Sequence, residues 1–361
     1  MTTTINWFSN EANKKTNSEL IKHIQTKKKK NYIDKFEKAF SKKINTKYSL
    51  LVSSGSNAII LALYSLNLKR GDEIIVSNRT WVATAHAAHV LGLKVVLIDC
   101  KLKDTIMDET KILSKITRKT RAILVTHMNG RANNMENIVK IAKKKNIVVI
   151  EDACQAMFSK YNNRYVGTVS NIGCFSLGNT KLLSTLQGGL LVTNNLRTYN
   201  KLKLIRNHGV INNFTDQWNQ PGFNFKYNHY QAVMGFNELK KINLKINNCK
   251  KIYKLYEQNI LLMKKIKIIK SYIENGEMPL YVQAIVDNKK KFINFMIKKG
   301  IQVRPLTPSL NFAKYLTRLN KKTFTNSDYF HNKGVYLPSG PTQKVNNIKK
   351  ILASIKQYEA E

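Results

Sequence analysis

Between residues 48 and 193 the chain alternates short apolar runs with stretches of helical spacing, a pattern that few folds accept. Apolar runs at 48–52, 73–77, 95–98, 122–126, 147–150, 174–176 and 189–192 read as strands. Helices are expected between them at 58–66, 84–91 and 135–145. In the first of these, Ala58, Leu61, Leu63 and Leu66 share one broad face of a 3.6-residue helix. Strands alternating with helices imply an α/β domain built on a mostly parallel sheet. Ligands of such sheets bind outside the carboxyl ends of the strands, so the residues that follow each apolar run carry the functional interest.

Beyond about residue 239 the pattern changes. A lysine-rich helical stretch at 239–265 leads into short strands at 266–270 and 280–286, a helix at 290–299 and a terminal helix at 345–358. The expected organisation is a large α/β domain over 1–245, with an N-terminal helical segment, and a smaller C-terminal α+β domain over 246–361. The net charge of +39 comes mostly from lysine, in runs such as those at 27–30 and 143–145. Because lysine is spread over almost every expected helix and arginine is scarce, the charge reads as solvated faces rather than one nucleic-acid stripe. Nucleic acid is therefore not the expected partner, although a positive surface attracts anionic substrates. No 18 apolar residues run together, so no membrane-spanning helix is expected. The start of the chain, Met1 to Trp7, lacks the apolar core of a signal peptide. Cys100, Cys154, Cys174 and Cys249 form no CxxC pair, which favours free thiols, a reducing cytoplasmic setting and no metal centre.

Four segments hold the residues that can do chemistry. Glu151 and Asp152 end the apolar strand at 147–150. Asp152 can cap a following helix or pair with a cationic ligand atom, and the residues alone leave both readings open. Lys181 lies between a strand end and the diglycine Gly188-Gly189, among small and apolar residues. Desolvation there is expected to lower its proton affinity and make it nucleophilic, unless it is one more surface cation. Ser53-Ser54-Gly55-Ser56-Asn57-Ala58 joins a strand to a helix, where free amides and a glycine make a phosphate cradle. Trp81, in Thr80-Trp81-Val82-Ala83-Thr84, places an aromatic ring at a strand-to-helix loop or in the core.

Taken in order, these segments resemble the DegT/DnrJ/EryC1/StrS family of sugar aminotransferases, from about residue 33 to 240 and more loosely beyond. Ser54-Gly55-Ser56-Asn57-Ala58-Ile59 is similar to the family's Ser-Gly-Thr-x-Ala-Leu, and residues 80–84 to its Thr-aromatic-Val-Ala-Thr. His127-Met128-Asn129-Gly130 falls at its His-x-x-Gly turn, and Glu151-Asp152-Ala153-Cys154-Gln155-Ala156 is similar to Glu-Asp-Ala-Ala-Gln-Ala. Lys181 keeps the lysine-to-diglycine spacing, and Arg206-Asn207-His208-Gly209 and Gly222-Phe223-Asn224-Phe225-Lys226 resemble Arg-Asn-His-Gly and Gly-x-Asn-x-Arg.

The resemblance implies a fold-type I architecture and pyridoxal 5′-phosphate as cofactor. It implies that Lys181 is the Schiff-base lysine and proton shuttle, and that Asp152 keeps the pyridine nitrogen protonated. Trp81 would stack on the ring and Gln155 would sit beside its 3-hydroxyl group. Gly55, Ser56, Asn57 and Ser176 would bind the phosphate, joined by Asn224 from the partner subunit of a homodimer with shared active sites. The implied reaction moves an amino group from an amino acid, glutamate by resemblance, to a nucleotide-linked keto-sugar. Alternatives are a pyridoxamine-dependent sugar deoxygenase or dehydratase, whose family members lack the lysine, and a non-catalytic regulator on the same scaffold. Leu186 and Gln187 stand where the family has Gly-Glu, and Lys226 replaces its arginine. These departures bear on the substrate more than on the reaction.

Overall fold

A computed structural model describes residues 4–12, 14–26, 31–212, 218, 220–317 and 324–361, so the lysines at 27–30 lie outside the described residues. Its first strands are β1 (Tyr48–Val52), β2 (Glu73–Ser77), β3 (Lys94–Ile98), β4 (Thr120–Thr126) and β5 (Val148–Asp152). A small hairpin of β6 (Lys160–Tyr161) and β7 (Arg164–Tyr165) precedes β8 (Ile172–Ser176) and β9 (Gly189–Thr193). Seven of these form one sheet in the order β1-β9-β8-β5-β4-β2-β3. The pairs from β3 across to β8 are parallel, and β9 runs antiparallel to both of its neighbours. The mostly parallel mixed sheet expected from the alternation is present.

Strand periodicity sorts the apolar runs onto two faces. Ile74, Val76 and Leu124 pack on one side with Ala58, Leu61 and Ala85 of the helices Gly55–Tyr64 and Ala83–Val90. Ile75, Ile123 and Val125 pack on the other with Met135, Ile138 and Ala142 of the helix Met135–Lys144. Covering both faces is what a parallel sheet requires. On a further face of the core, Phe40 of the helix Tyr32–Ile44 lies with its ring centroid 6.0 Å from Phe158 and 5.4 Å from Phe175.

A second, antiparallel sheet holds β10 (Ile266–Ile268), β11 (Val282–Val286), β12 (Arg304–Pro305) and β13 (Gly334–Leu337) in the order β10-β11-β13-β12. The helices Ile242–Ile260, Lys289–Lys298 and Val345–Ala360 cover it. The lysine-rich stretch is two helices, His229–Lys240 and Ile242–Ile260, and positions 245 and 246 fall inside the second. The helices Lys14–Gln25 and Tyr32–Ile44 form the N-terminal helical segment, and residues 5–9 ahead of them lie elsewhere. Ile5 bridges to Ile301 and Phe8 to Ser339, so residues 5–9 run along the C-terminal sheet. Such pairing between residues about 300 positions apart leaves no local signal in the sequence.

Phe40→Ala opens a cavity against the Phe158 and Phe175 rings and is expected to lower stability by about 3–5 kcal/mol. A denaturant titration should show an earlier midpoint with an unchanged slope.

Candidate active site

The loops that follow β1, β2, β4, β5 and β8 meet at the carboxyl edge of the large sheet and line a cavity of about 610 Å³. Tyr281, Arg304 and Tyr336 from the C-terminal sheet region form the facing wall with Trp7. The Arg304 guanidinium lies 4.8 Å from the Trp7 ring centre. Arg79, fully buried behind that wall, donates from Nη1 to the Thr307 carbonyl at 2.6 Å and to Ser309 Oγ at 3.1 Å. These bonds tie the loop after β2 to the segment that carries Arg304.

The last two residues of β5 point opposite ways, as strand alternation demands. Asp152 lines the cavity. Its Oδ2 accepts from Thr84 Oγ1 at 2.7 Å and its Oδ1 from the Cys154 amide at 3.1 Å. Because the Thr84 proton goes to Asp152, Thr84 accepts from Thr80 at 2.8 Å, and Thr126 donates to Thr80 at 3.0 Å. A chain of hydroxyls thus leads from β4 past the loop after β2 to the carboxylate. No helix begins after Asp152, so the helix-cap reading fails and the carboxylate is directed to the cavity.

Glu151 turns into the core, where it accepts from the amides of Gly167 (2.7 Å), Val169 (2.9 Å) and Ser170 (2.7 Å). His127 Nδ1 accepts from the Asn133 amide, so its proton sits on Nε2 and is donated to Glu151 at 3.0 Å. Burial alone would push the Glu151 carboxyl up, but His127 and the Gly167 and Ser170 amides hold it below the usual range.

Ser54 caps the helix Gly55–Tyr64, its Oγ accepting from the Asn57 amide at 3.1 Å. A Cβ on Gly55 would stand 2.8 Å from Ser176 Cβ and 3.1 Å from Cys154 Sγ, so only glycine brings this helix start against Ser176. Gly55, Ser56 and Ser176 line the cavity, whereas Asn57 does not: its side chain donates to Ser53 Oγ at 2.8 Å. Trp81 and Gln155 also line it. The buried Oε1 of Gln155 has no hydrogen-bond partner among the described residues. Asn224 is exposed, outside the cavity of its own chain.

Lys181 enters the cavity half-buried. Its direction of titration corrects the sequence expectation. Burial pulls the ammonium down, but Tyr281, Cys154, Asp152 and Tyr336 outweigh it and the amine is raised above its ordinary value. Burial pushes the Cys154 thiol and the Tyr336 phenol up. The following loop is fixed by Tyr227, whose hydroxyl lies 2.6 Å from Thr185 Oγ1, and by Thr185 donating to the Gln187 carbonyl at 2.7 Å. Leu186 sits in the left-handed region (φ 68°), where the family motif has glycine.

The structure therefore gathers Lys181, Asp152, Gly55, Ser56, Trp81, Gln155 and Ser176 in one cavity and leaves Asn57 and Asn224 outside it. Sequence reasoning missed Thr84, Tyr281, Tyr336 and Trp7. Arg304 and Thr307 of the C-terminal part line the cavity, while His331 stacks on Phe312 with ring centres 4.4 Å apart. Among the described residues no cluster of His, Cys, Asp and Glu could hold a metal ion, and no helix is long and apolar enough to cross a membrane.

The sequence model of the DegT/DnrJ/EryC1/StrS aminotransferase family matches residues 9–356. A GDP-perosamine synthase of Escherichia coli O157:H7 is 29% identical over 333 residues, covering 92% of this chain and 91% of that protein. A GDP-4-keto-6-deoxy-D-mannose 3-dehydratase of Yersinia pseudotuberculosis is 27% identical over 364 residues, covering 90% and 91%. Among solved structures, the Helicobacter pylori aminotransferase PseC, involved in pseudoaminic acid biosynthesis, superposes with a TM-score of 0.93 at 21% identity, covering 99% of this chain and 100% of that one.

The lowered carboxyl of Glu151 gives a pH prediction. A folded-state value below the unfolded one contributes stability above the unfolded value, near 4.5, and that contribution is lost as pH falls through the folded value. Glu151→Gln should be less stable than the parent at pH 7, by about 1–3 kcal/mol for poorly matched buried amides. Its stability should also fall less steeply below pH 4.5 in denaturant titrations run across the acid range.

Proposed function

The chain belongs to the DegT/DnrJ/EryC1/StrS aminotransferase family, sugar aminotransferases that use pyridoxal 5′-phosphate, and we propose that it aminates a nucleotide-linked keto-sugar with glutamate as donor. The observation that carries the proposal is the convergence of an amine, a carboxylate and a glycine-opened helix start on one cavity.

The residues present fit the cofactor. The amides at Gly55 and Ser56 and the Ser176 hydroxyl offer donors to a phosphate at the start of the helix Gly55–Tyr64. The unpartnered Gln155 Oε1 is an acceptor in want of a hydroxyl donor. Lys181 is the nucleophile placed to hold an aldehyde covalently. When bound, pyridoxal phosphate supplies that aldehyde and a protonated pyridine ring that withdraws electrons from the donor's α-carbon.

The chain's own groups then have distinct tasks. Asp152, its charge fixed by the Thr84 hydroxyl and the Cys154 amide, keeps a proton on the ring nitrogen. Lys181 Nζ takes the proton from the donor α-carbon and later returns one at the sugar carbon that receives nitrogen. Tyr281, Tyr336 and Trp7 keep water from one side of the cavity, and Arg304, on the exposed rim, meets anionic groups of the substrates. The relative named GDP-perosamine synthase makes GDP-linked keto-sugars the first acceptors to try. A dehydratase is the weaker reading, because the family's dehydratases lack the lysine that this chain keeps at 181. The exposure of Asn224 supports a homodimer in which it reaches the partner's phosphate site. Four free cysteines, Cys100, Cys154, Cys174 and Cys249, support a reducing, cytoplasmic setting.

Incubation with glutamate and a panel of nucleotide-linked keto-sugars should release 2-oxoglutarate with at least one acceptor. Lys181→Ala and Asp152→Asn should each lower that rate by about 10²–10⁴. Undiminished turnover by Lys181→Ala would overturn the assignment.

A further inference from the structure

Two charged groups outside the cavity have no part in the chemistry above. Glu238, in the helix His229–Lys240, is 1% exposed, and Lys245, in the helix Ile242–Ile260, is 9% exposed. Lys245 Nζ stands 2.7 Å from Glu238 Oε2. Such a buried pair adds little stability over apolar residues of the same shape, because desolvation opposes the Coulomb attraction. Its other contacts supply a reason for it. Lys245 Nζ donates to Asn10 Oδ1 at 2.7 Å, and Asn10 Nδ2 donates to the main-chain carbonyl of Lys181 at 2.5 Å. On the far side, Thr16 Oγ1 donates to the other oxygen of Glu238 at 2.5 Å.

This buried network ends on the backbone of the residue that carries the cavity's amine. The Lys181 amide donates to the Gly178 carbonyl at 3.0 Å, so of the two peptide units that flank the Lys181 Cα one is held by a local turn and the other by Asn10. Asn10 is itself anchored, because the Ser9 amide donates to the Ser339 carbonyl at 3.0 Å and the Ile5 amide to the Gly300 carbonyl at 2.9 Å. The same segment delivers Trp7 to the cavity wall.

We infer that Asn10, oriented by the Lys245–Glu238 pair, is a positioning residue for Lys181. It fixes the peptide plane on the carbonyl side of the Lys181 Cα, from which the side chain reaches the cavity, and this makes residues 5–10 part of the active site. The inference rests on the role proposed for Lys181. A lysine side chain has four torsions, so a small backbone rotation at its root swings Nζ widely. Displacement of a reacting group by about 1 Å can cost about 10²-fold in rate.

Asn10→Asp tests this in the full-length, cofactor-loaded enzyme. The aspartate keeps an acceptor for Lys245, so the segment stays tethered, but it turns an oxygen instead of an amide towards the Lys181 carbonyl. The expected result is a thermal midpoint near that of the parent and a shifted pH midpoint in the absorbance of the lysine-linked cofactor. With these, kcat per loaded subunit should fall about tenfold to a hundredfold while the acceptor KM changes by less than about threefold. Lys245→Met should change kcat and absorbance in the same direction, and if it fails to fold the aspartate variant decides alone. Parental kcat and an unshifted absorbance titration in Asn10→Asp would overturn the inference. A parent enzyme without a Lys181-dependent absorbance band would instead remove the reading on which the inference rests.

Discussion

A carboxylate buried at the end of β5 is the constraint around which the rest is arranged. Asp152 is 3% exposed, and a charge taken out of water is tolerated only when hydrogen bonds and an opposite charge replace its hydration. The Thr84 hydroxyl and the Cys154 amide provide the bonds. Lys181, its amine raised above its ordinary value, provides a cation in the same cavity. Holding Thr84 in place requires Thr80 and Thr126, so the loop after β2 and the end of β4 are coupled to the end of β5. The parallel sheet is what brings these ends to one edge.

The neighbouring carboxylate, Glu151, shows how backbone periodicity assigns different work to chemically similar side chains. One step along the strand turns it from the cavity into the core. There His127 and three backbone amides hold it as a structural anion that fixes the turn at 167–170. A similar economy governs the phosphate cradle. Gly55 matters for the close approach it permits to Ser176 and Cys154, which leaves the helix amides facing the cavity.

Much of this was legible because it is local. The apolar runs located the strands of the large sheet, and Gly55, Trp81, Asp152, Ser176 and Lys181, at or beyond the ends of those runs, line the cavity. What the sequence hid depends on distant partners. Tyr281, Tyr336 and Trp7 reach the cavity through the pairing of the second sheet, whose strand β13 follows the helix Thr325–Lys333 with no turn residue between them. The direction of the Lys181 titration was misjudged for the same reason. Burial is suggested by its apolar neighbours, but Tyr281, Cys154, Asp152 and Tyr336, which together outweigh it, lie elsewhere in the chain. Asn57 belongs to the right motif, yet its side chain turns to Ser53, a choice of rotamer that spacing does not reveal.

The central claim is that one particular amine, in a chain very rich in lysine, is the covalent anchor. Reducing the cofactor-loaded protein with borohydride, digesting it and mapping the pyridoxyl mass tests that directly. The account predicts a single modified lysine at position 181, at a yield approaching one per chain. A label spread over surface lysines, or centred on any other residue, would contradict it.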